Sequence, residues 1–340
     1  MNARRSFRIA MLGAMLALAG CMQSPPPVPE PSPLAGRVIA LDPGHGGTAA
    51  TDQYRKGPTG EREEWINLRV AQELKQLLEA AGARVLMTRE DDVFVPLDER
   101  ARIARDGGAE LFLSIHHNAT ADPQANFPIV YFHGNASENE AGVVLGRALV
   151  AAFRERGFPV ADAPASVVSD HTIFPRRGAA VLRASYGIPG VLAEASFFTH
   201  PEEEQRLKAP AHNRQEAEAY FAALEALFSR PLPPMLPKYS QVEAFAPFQG
   251  VQEAERMSAG ALRWRQAHAE GVAVAENDPR RALALFEESA RMFPDSPLAG
   301  DAHAWRVRLL ERLGRTDEAR VEALRVREHY PVAVEPAAVE

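Results

Sequence analysis

A chain of 340 residues with 46% hydrophobic side chains has room for one sizeable domain and a smaller one. It carries 38 basic against 45 acidic side chains, a net charge of −7. The only basic start, Arg4, Arg5 and Arg8, lies ahead of an acidic remainder without a basic stripe, which argues against nucleic acid as a partner.

Ile9 to Ala19 is an uncharged apolar run after those arginines. It has the length of a signal-peptide core and is too short to span a bilayer. Leu18-Ala19-Gly20-Cys21 then sets small residues before the single cysteine. This resembles the bacterial lipobox, which implies cleavage after residue 20 and a lipid on Cys21. A lone cysteine in an exported chain has no intramolecular partner, and lipidation accounts for it. Acyl chains would anchor the protein to a membrane without a spanning helix. Met22 is not acidic, and the resemblance then implies the periplasmic face of the outer membrane. The plainer alternative is a secretory signal with an incidental cysteine. Residues 21–35 include Ser-Pro-Pro-Pro-Val-Pro-Glu-Pro-Ser-Pro, which favours extended polyproline geometry and reads as a stalk.

Residues 36–229 alternate strand and helix patterns. Val38 to Leu41 reads as a short buried strand. Val70, Leu74, Leu77, Leu78 and Ala81 recur at helical spacing, with Gly82 ending the helix. Arg84 to Thr88 is the next strand, Leu97 to Ala104 a helix, Leu111 to Ile115 a strand, and Ile129 to Phe132 another. Glu138 to Arg156 is an amphipathic helix, and Val191 to Ala193 a buried strand. Such alternation predicts an α/β domain with helices on both sides of a sheet. Residues 230–256, with five prolines from Pro231 to Pro247, read as a linker. Residues 257–331 have no strand signal, and Ala282 to Pro294 is echoed by Ala319 to Pro331 at a spacing typical of helical hairpins. This segment resembles tetratricopeptide repeats, and an ordinary small helical bundle is the alternative. Either offers a surface for a protein partner, with no chemistry of its own. Residues 332–340 form a tail.

Candidate chemistry gathers at strand ends, where ligands of open α/β sheets bind. Asp42-Pro43-Gly44-His45-Gly46-Gly47 follows the first strand, its glycines clearing space around the imidazole. Ser114-Ile115-His116-His117-Asn118 ends another; alternation sends only one of the two histidines into a given site. Glu194 follows Val191-Leu192-Ala193, where a carboxylate needs a cation or donor, and Arg183 is one. Glu61, Glu63 and Glu64 sit at the start of the first long helix, where acidic residues also serve simply as dipole complements. Two histidines and a carboxylate with one position left for water are a catalytic zinc set. A second carboxylate can move the water's proton to a leaving group.

Together, strand-DPGHGG, E-x-x-x-N-L, S-I-H-x-N and V-L-x-E resemble the N-acetylmuramoyl-L-alanine amidase family, the zinc-dependent amidase 3 catalytic domain, over residues 37 to 229. The resemblance implies a twisted, mostly parallel sheet flanked by helices. It implies zinc held by His45, Glu63 and His116, with Glu194 catalytic. It also implies hydrolysis of the amide between N-acetylmuramic acid and L-alanine in peptidoglycan. His117 stands where the family carries a small residue. The run Ala195 to His200 departs from the family's Gly-Phe pattern after the catalytic glutamate. Residues 157–176 are too short and too rich in Pro and Gly for the inserted helix that plugs some members. Two other functions remain: a non-catalytic peptidoglycan-binding scaffold, against which Glu194 argues, and a zinc peptidase acting on the stem peptide. His133, His212, His268, His303 and His329 read as surface residues, and His171 as a loop histidine.

Overall fold

The computed structural model describes residues 31–51, 55–159, 167–238, 245–251 and 253–331. The signal segment, Cys21, the proline run up to residue 30 and the tail from 332 lie outside them.

Six strands form one sheet: β1 (Val38–Pro43), β2 (Arg84–Met87), β3 (Leu111–Asn118), β4 (Ile129–Phe132), β5 (Val167–Ser169) and β6 (Gly190–Phe197). Their order is β2-β1-β3-β6-β4-β5, all parallel except the β4–β6 pair, so β4 and β5 run against the rest. The helices are α1 (Glu63–Ala80), α2 (Leu97–Asp106), α3 (Glu140–Glu155), α4 (Ala180–Ala184), α5 (Pro201–Leu207) and α6 (Pro210–Phe228). There follow α7 (Glu253–Arg256), α8 (Trp264–Val274), α9 (Pro279–Met292), α10 (Ala299–Arg312) and α11 (Thr316–His329). Among the described residues no helix is long and apolar enough to cross a membrane.

Strand alternation splits the sheet into two faces. Leu41, Leu113, Ile115, Val191 and Ala193 point to one face and pack under α1, α3 and α6. Ala40, Phe112, Ile129, Tyr131 and Phe197 point to the other. There the cover is shared by α2, α4 and the C-terminal helices, whose Trp264, Phe293 and Tyr330 are buried against the sheet. Phe293 lies 5.9 Å from Phe127 and 5.0 Å from Trp264, ring to ring. The C-terminal helices thus share a core with the sheet.

Several elements differ from expectation. Both β3 and β6 run past the residues at which the apolar patterns stop. His116 pairs with Glu194 and Asn118 with Phe197, because the buried Ala195 and Phe197 continue the ladder. Strand β5 is three residues long, too short to register as a pattern. The helix expected from Glu138 starts at Glu140, since the Asn139 side chain accepts from Gly142 N and caps it. Leu34, read as stalk, is buried in the core under α6. The proline-rich stretch after α6 lies along the surface. Leu236 N donates to Glu138 O, and the Phe248 ring sits against the Arg306 and Arg325 guanidiniums and the His303 ring. Successive pairing of α8 with α9, α9 with α10 and α10 with α11 makes two helical hairpins, and the sequence echo falls on α9 and α11.

Candidate active site

The loop after β1 is shaped by two buried arginines. Arg100 donates to Asp42 Oδ1 at 2.8 Å, to Pro43 O at 2.9 Å and to His45 O at 2.6 Å. Arg89 donates to Pro43 O, Gly44 O and Glu64 O. Burial and the neighbouring Arg100 push the Arg89 guanidinium down to about 10. Burial alone would raise the Asp42 carboxyl, but Arg100 and the hydroxyls of Thr88 and Ser114 outweigh it and hold it below its usual value. The clamped loop gives His45 a left-handed φ of 59°, which a non-glycine residue adopts at a cost. Gly44 is a close approach: a Cβ there would lie 2.2 Å from the His116 ring.

His45 Nε2 and His116 Nδ1 each lie 3.0 Å from Glu63 Oε1. One ligand atom from each of the three residues falls within 4.8 Å of the others. Burial would raise the Glu63 carboxyl. Its charge interaction with His45 and its hydrogen bonds with both histidines prevail and hold it well below the usual range. Burial pushes His116 down, which leaves its nitrogen lone pair available. The Arg55 guanidinium already faces this set, 3.2 Å from His45 Nε2 and 3.6 Å from Glu63 Oε2. A carboxylate and two imidazoles converging on a point that attracts a cation suit a zinc ion.

Strand alternation decides between the adjacent histidines. His116 shares a face with Asp42 and Ser114 and reaches Glu63. His117 points to the opposite face, where its ring lies between Asn67 Oδ1 at 2.8 Å and Glu216 Oε2 at 3.1 Å. Asn67 Nδ2 in turn donates to Glu63 Oε1 at 3.2 Å and Gly44 O at 3.3 Å, so it orients the carboxylate. The neighbouring acids are engaged elsewhere: Glu61 accepts from Arg69, and buried Glu64 from Arg62. Glu194, half-buried on β6, is the register partner of His116 and shares its face. Arg183 donates to the carbonyls of Arg177 and Gly178.

His45, Glu63, His116 and Glu194 line one cavity of about 960 Å³. Tyr131 and Arg256 line it too, neither foreseen from sequence. The Tyr131 hydroxyl donates to Asp295, between α9 and α10, and burial followed by the Asp295 charge pushes it well above its usual value. Asp295 also accepts from Arg256 at 2.7 Å. Arg256, the last residue of the stretch read as a linker, therefore lines the cavity, and Asp295 of the C-terminal region holds both wall residues from behind. No periodic pattern marks such a contact.

Three histidines read as surface are buried. His133 lies between Asp170 at 2.6 Å and Lys238 at 2.7 Å, His303 against Glu322 at 2.6 Å, and His329 stacks edge-on to His171. Acidic partners on neighbouring elements permit the burial of His133 and His303, and they are invisible in local sequence. His212 and His268 are half-buried, paired with Glu203 and Asp301. Within 157–176 the described residues form β5 and a short 3-10 turn; residues 160–166 lie outside the described set.

Residues 39–226, more than half the chain, match the N-acetylmuramoyl-L-alanine amidase family, Amidase_3. The chain belongs to this family. It is 29% identical to the amidase AmiA of Escherichia coli over 56% of its own length and 76% of that protein's. It is 30% identical to the probable cell wall amidase LytH of Staphylococcus saprophyticus, covering 59% of this chain and 62% of that one. The chain thus spans less than two thirds of LytH. Ami1 of Mycobacterium smegmatis shares the fold, with a TM-score of 0.50 and 20% identity over 58% of this chain and 98% of Ami1.

Proposed function

We propose that the protein is a zinc-dependent N-acetylmuramoyl-L-alanine amidase acting on peptidoglycan outside the cytoplasm. The observation that carries this reading is the convergence of His45, Glu63 and His116 on one point, with Glu194 beside His116 on the adjacent strand of the same cavity.

In this reading His45, Glu63 and His116 hold the metal. The chemistry a zinc ion supplies there is Lewis acidity toward a water and toward the scissile carbonyl. Glu63, kept ionised, offsets part of the cation's charge, and Asn67 fixes which oxygen it presents. The Glu194 carboxylate takes the proton of the attacking water and delivers it to the nitrogen that leaves. The buried guanidiniums of Arg89 and Arg100 hold the His45 loop in its strained form before substrate arrives.

The lipobox-like Leu18 to Cys21 supports a lipid anchor on Cys21, at the periplasmic face of the outer membrane. The paired helices α8 to α11 support a tetratricopeptide-like array, whose outer surface suits a protein partner.

The test is a digest of purified peptidoglycan, read by mass spectrometry. Stem peptides beginning at L-alanine, lost with a chelator and restored by zinc, are expected. Cuts inside the stem would replace this reading with a peptidase, and wall binding without cuts by the metal-loaded protein would replace it with a scaffold. In Glu194→Gln, turnover is expected to fall by about 10²- to 10⁴-fold with zinc still bound. A variant that keeps full turnover would remove Glu194 from the mechanism.

A further inference from the structure

In a chain of net charge −7, the cavity is lined by more arginines than carboxylates, the acids being Asp42, Glu63, Asp170 and Glu194. Its lining includes Arg55, Arg100, Arg176, Arg177, Arg183 and Arg256. Three of these have acidic partners: Arg55 faces Glu63, Arg100 pairs with Asp42, and Arg256 with Asp295. Of the other three, Arg176 and Arg177 stand on the segment that joins β5 to α4, and Arg183 lies within α4. Arg176 and Arg177 are exposed, and Arg183 donates to main-chain carbonyls of the same segment. Among the described residues none of these three has a carboxylate partner.

The segment is held in place. Buried Asp170 accepts from His133 Nδ1 at 2.6 Å, Gly134 N at 3.2 Å and Ala179 N at 2.7 Å, which ties both ends of 170–179 to the end of β4. Gly178 has φ 64°, and a Cβ there would meet Asp170 Oδ2 at 2.4 Å. Phe174 N donates to Asp170 O, and Gly178 N to Phe174 O. Arg176 and Arg177 thus project from an anchored turn. Elsewhere the cavity is lined by Phe94, Val95 and Leu97, which carry no charge, Phe94 being 67% exposed.

We propose that Arg176 and Arg177, with Arg183 bracing their backbone, bind the carboxylates of the stem peptide and make this site selective for acidic stems. The inference rests on the amidase reading and deepens it. A stem peptide presents carboxylates close to the amide that is cut, and a guanidinium recognises a carboxylate through paired, charge-assisted hydrogen bonds. The uncharged Phe94 to Leu97 stretch leaves the less charged saccharide portion as its counterpart.

The experiment uses two soluble muropeptides that differ only in whether the stem carboxylates are free or amidated. Hydrolysis is measured with the zinc-loaded protein, and binding by calorimetry with chelator-treated protein. The native chain is expected to cleave the free-acid form about tenfold more efficiently, chiefly through KM, and to bind it correspondingly tighter. In R176A/R177A the two substrates become equivalent in both cleavage and binding. R176K/R177K keeps the charge, loses the fork, and retains part of the preference. Equal cleavage and equal binding of both forms by the native protein would overturn the arginine wall while leaving the amidase standing. So would a preference that survives in R176A/R177A. If neither form is cut, yet the acidic one binds tighter and the double variant loses that difference, the wall stands and the amidase reading falls.

Discussion

Replacing Asn67 with alanine tests how the Glu63 carboxylate is held. The side chain is buried and makes three hydrogen bonds: to Glu63 Oε1 at 3.2 Å, to Gly44 O at 3.3 Å, and with His117 Nδ1 at 2.8 Å. A bond to a charged acceptor contributes about 1.5 to 3 kcal/mol and a neutral one about 1 kcal/mol. Their loss in a buried position sums to about 4 kcal/mol, which denaturant unfolding would detect directly. The site should suffer as well. Glu63 loses the donor that selects its rotamer, and removal of such a supporting partner lowers metal affinity by about 10- to 100-fold. Competition against a zinc-binding dye measures that affinity separately from stability. Unchanged zinc affinity in a folded Asn67→Ala protein would refute the positioning role, whatever happens to the melting curve.

Gly178→Ala should destabilise the protein by at least about 1 to 2 kcal/mol, because the left-handed backbone and the Asp170 carboxylate both exclude a methyl group. A thermal melt matching native would show that the turn relaxes freely. Phe293→Ala should cost about 3 to 5 kcal/mol and lower the single unfolding transition of sheet and C-terminal helices together. Two separate transitions, with the sheet unaffected, would deny the shared core. Glu203 gives a pH dependence. Burial raises its carboxyl, but the hydrogen bond with His212, the Arg206 charge and Asn126 together bring it from 4.5 to about 2. A lowered folded pKa stabilises above pH 4.5, and that contribution, about 3 kcal/mol, is lost as pH falls from 4.5 toward 2. The stability gap between native and Glu203→Gln should therefore shrink over that window; a gap that stays constant would contradict it.

The sequence by itself determined five of the six strands, the first helices and the chemical types, though not β5 or the helices α4 to α6. Hydrophobic runs and helical spacing in 38–86 depend only on local periodicity, so the strands and α1 were legible before any contact was known. The glycine-flanked His45, the polar break at His116 and the carboxylate at Glu194 were legible for the same reason: each interrupts an apolar pattern where no packing rule calls for it. Tertiary structure alone decided the rest. That the His116 ring, and not the His117 ring, meets Glu63 follows from where α1 begins beside the end of β3: Glu63 reaches the cavity, and Asn67, one turn on, meets the His117 ring. That Tyr131 and Arg256 share a wall follows from Asp295, far along the chain. His133 and His303 looked like surface residues because their carboxylate partners come from other elements. Periodicity reports which side of one element is buried; it carries no information about what another element brings to that side.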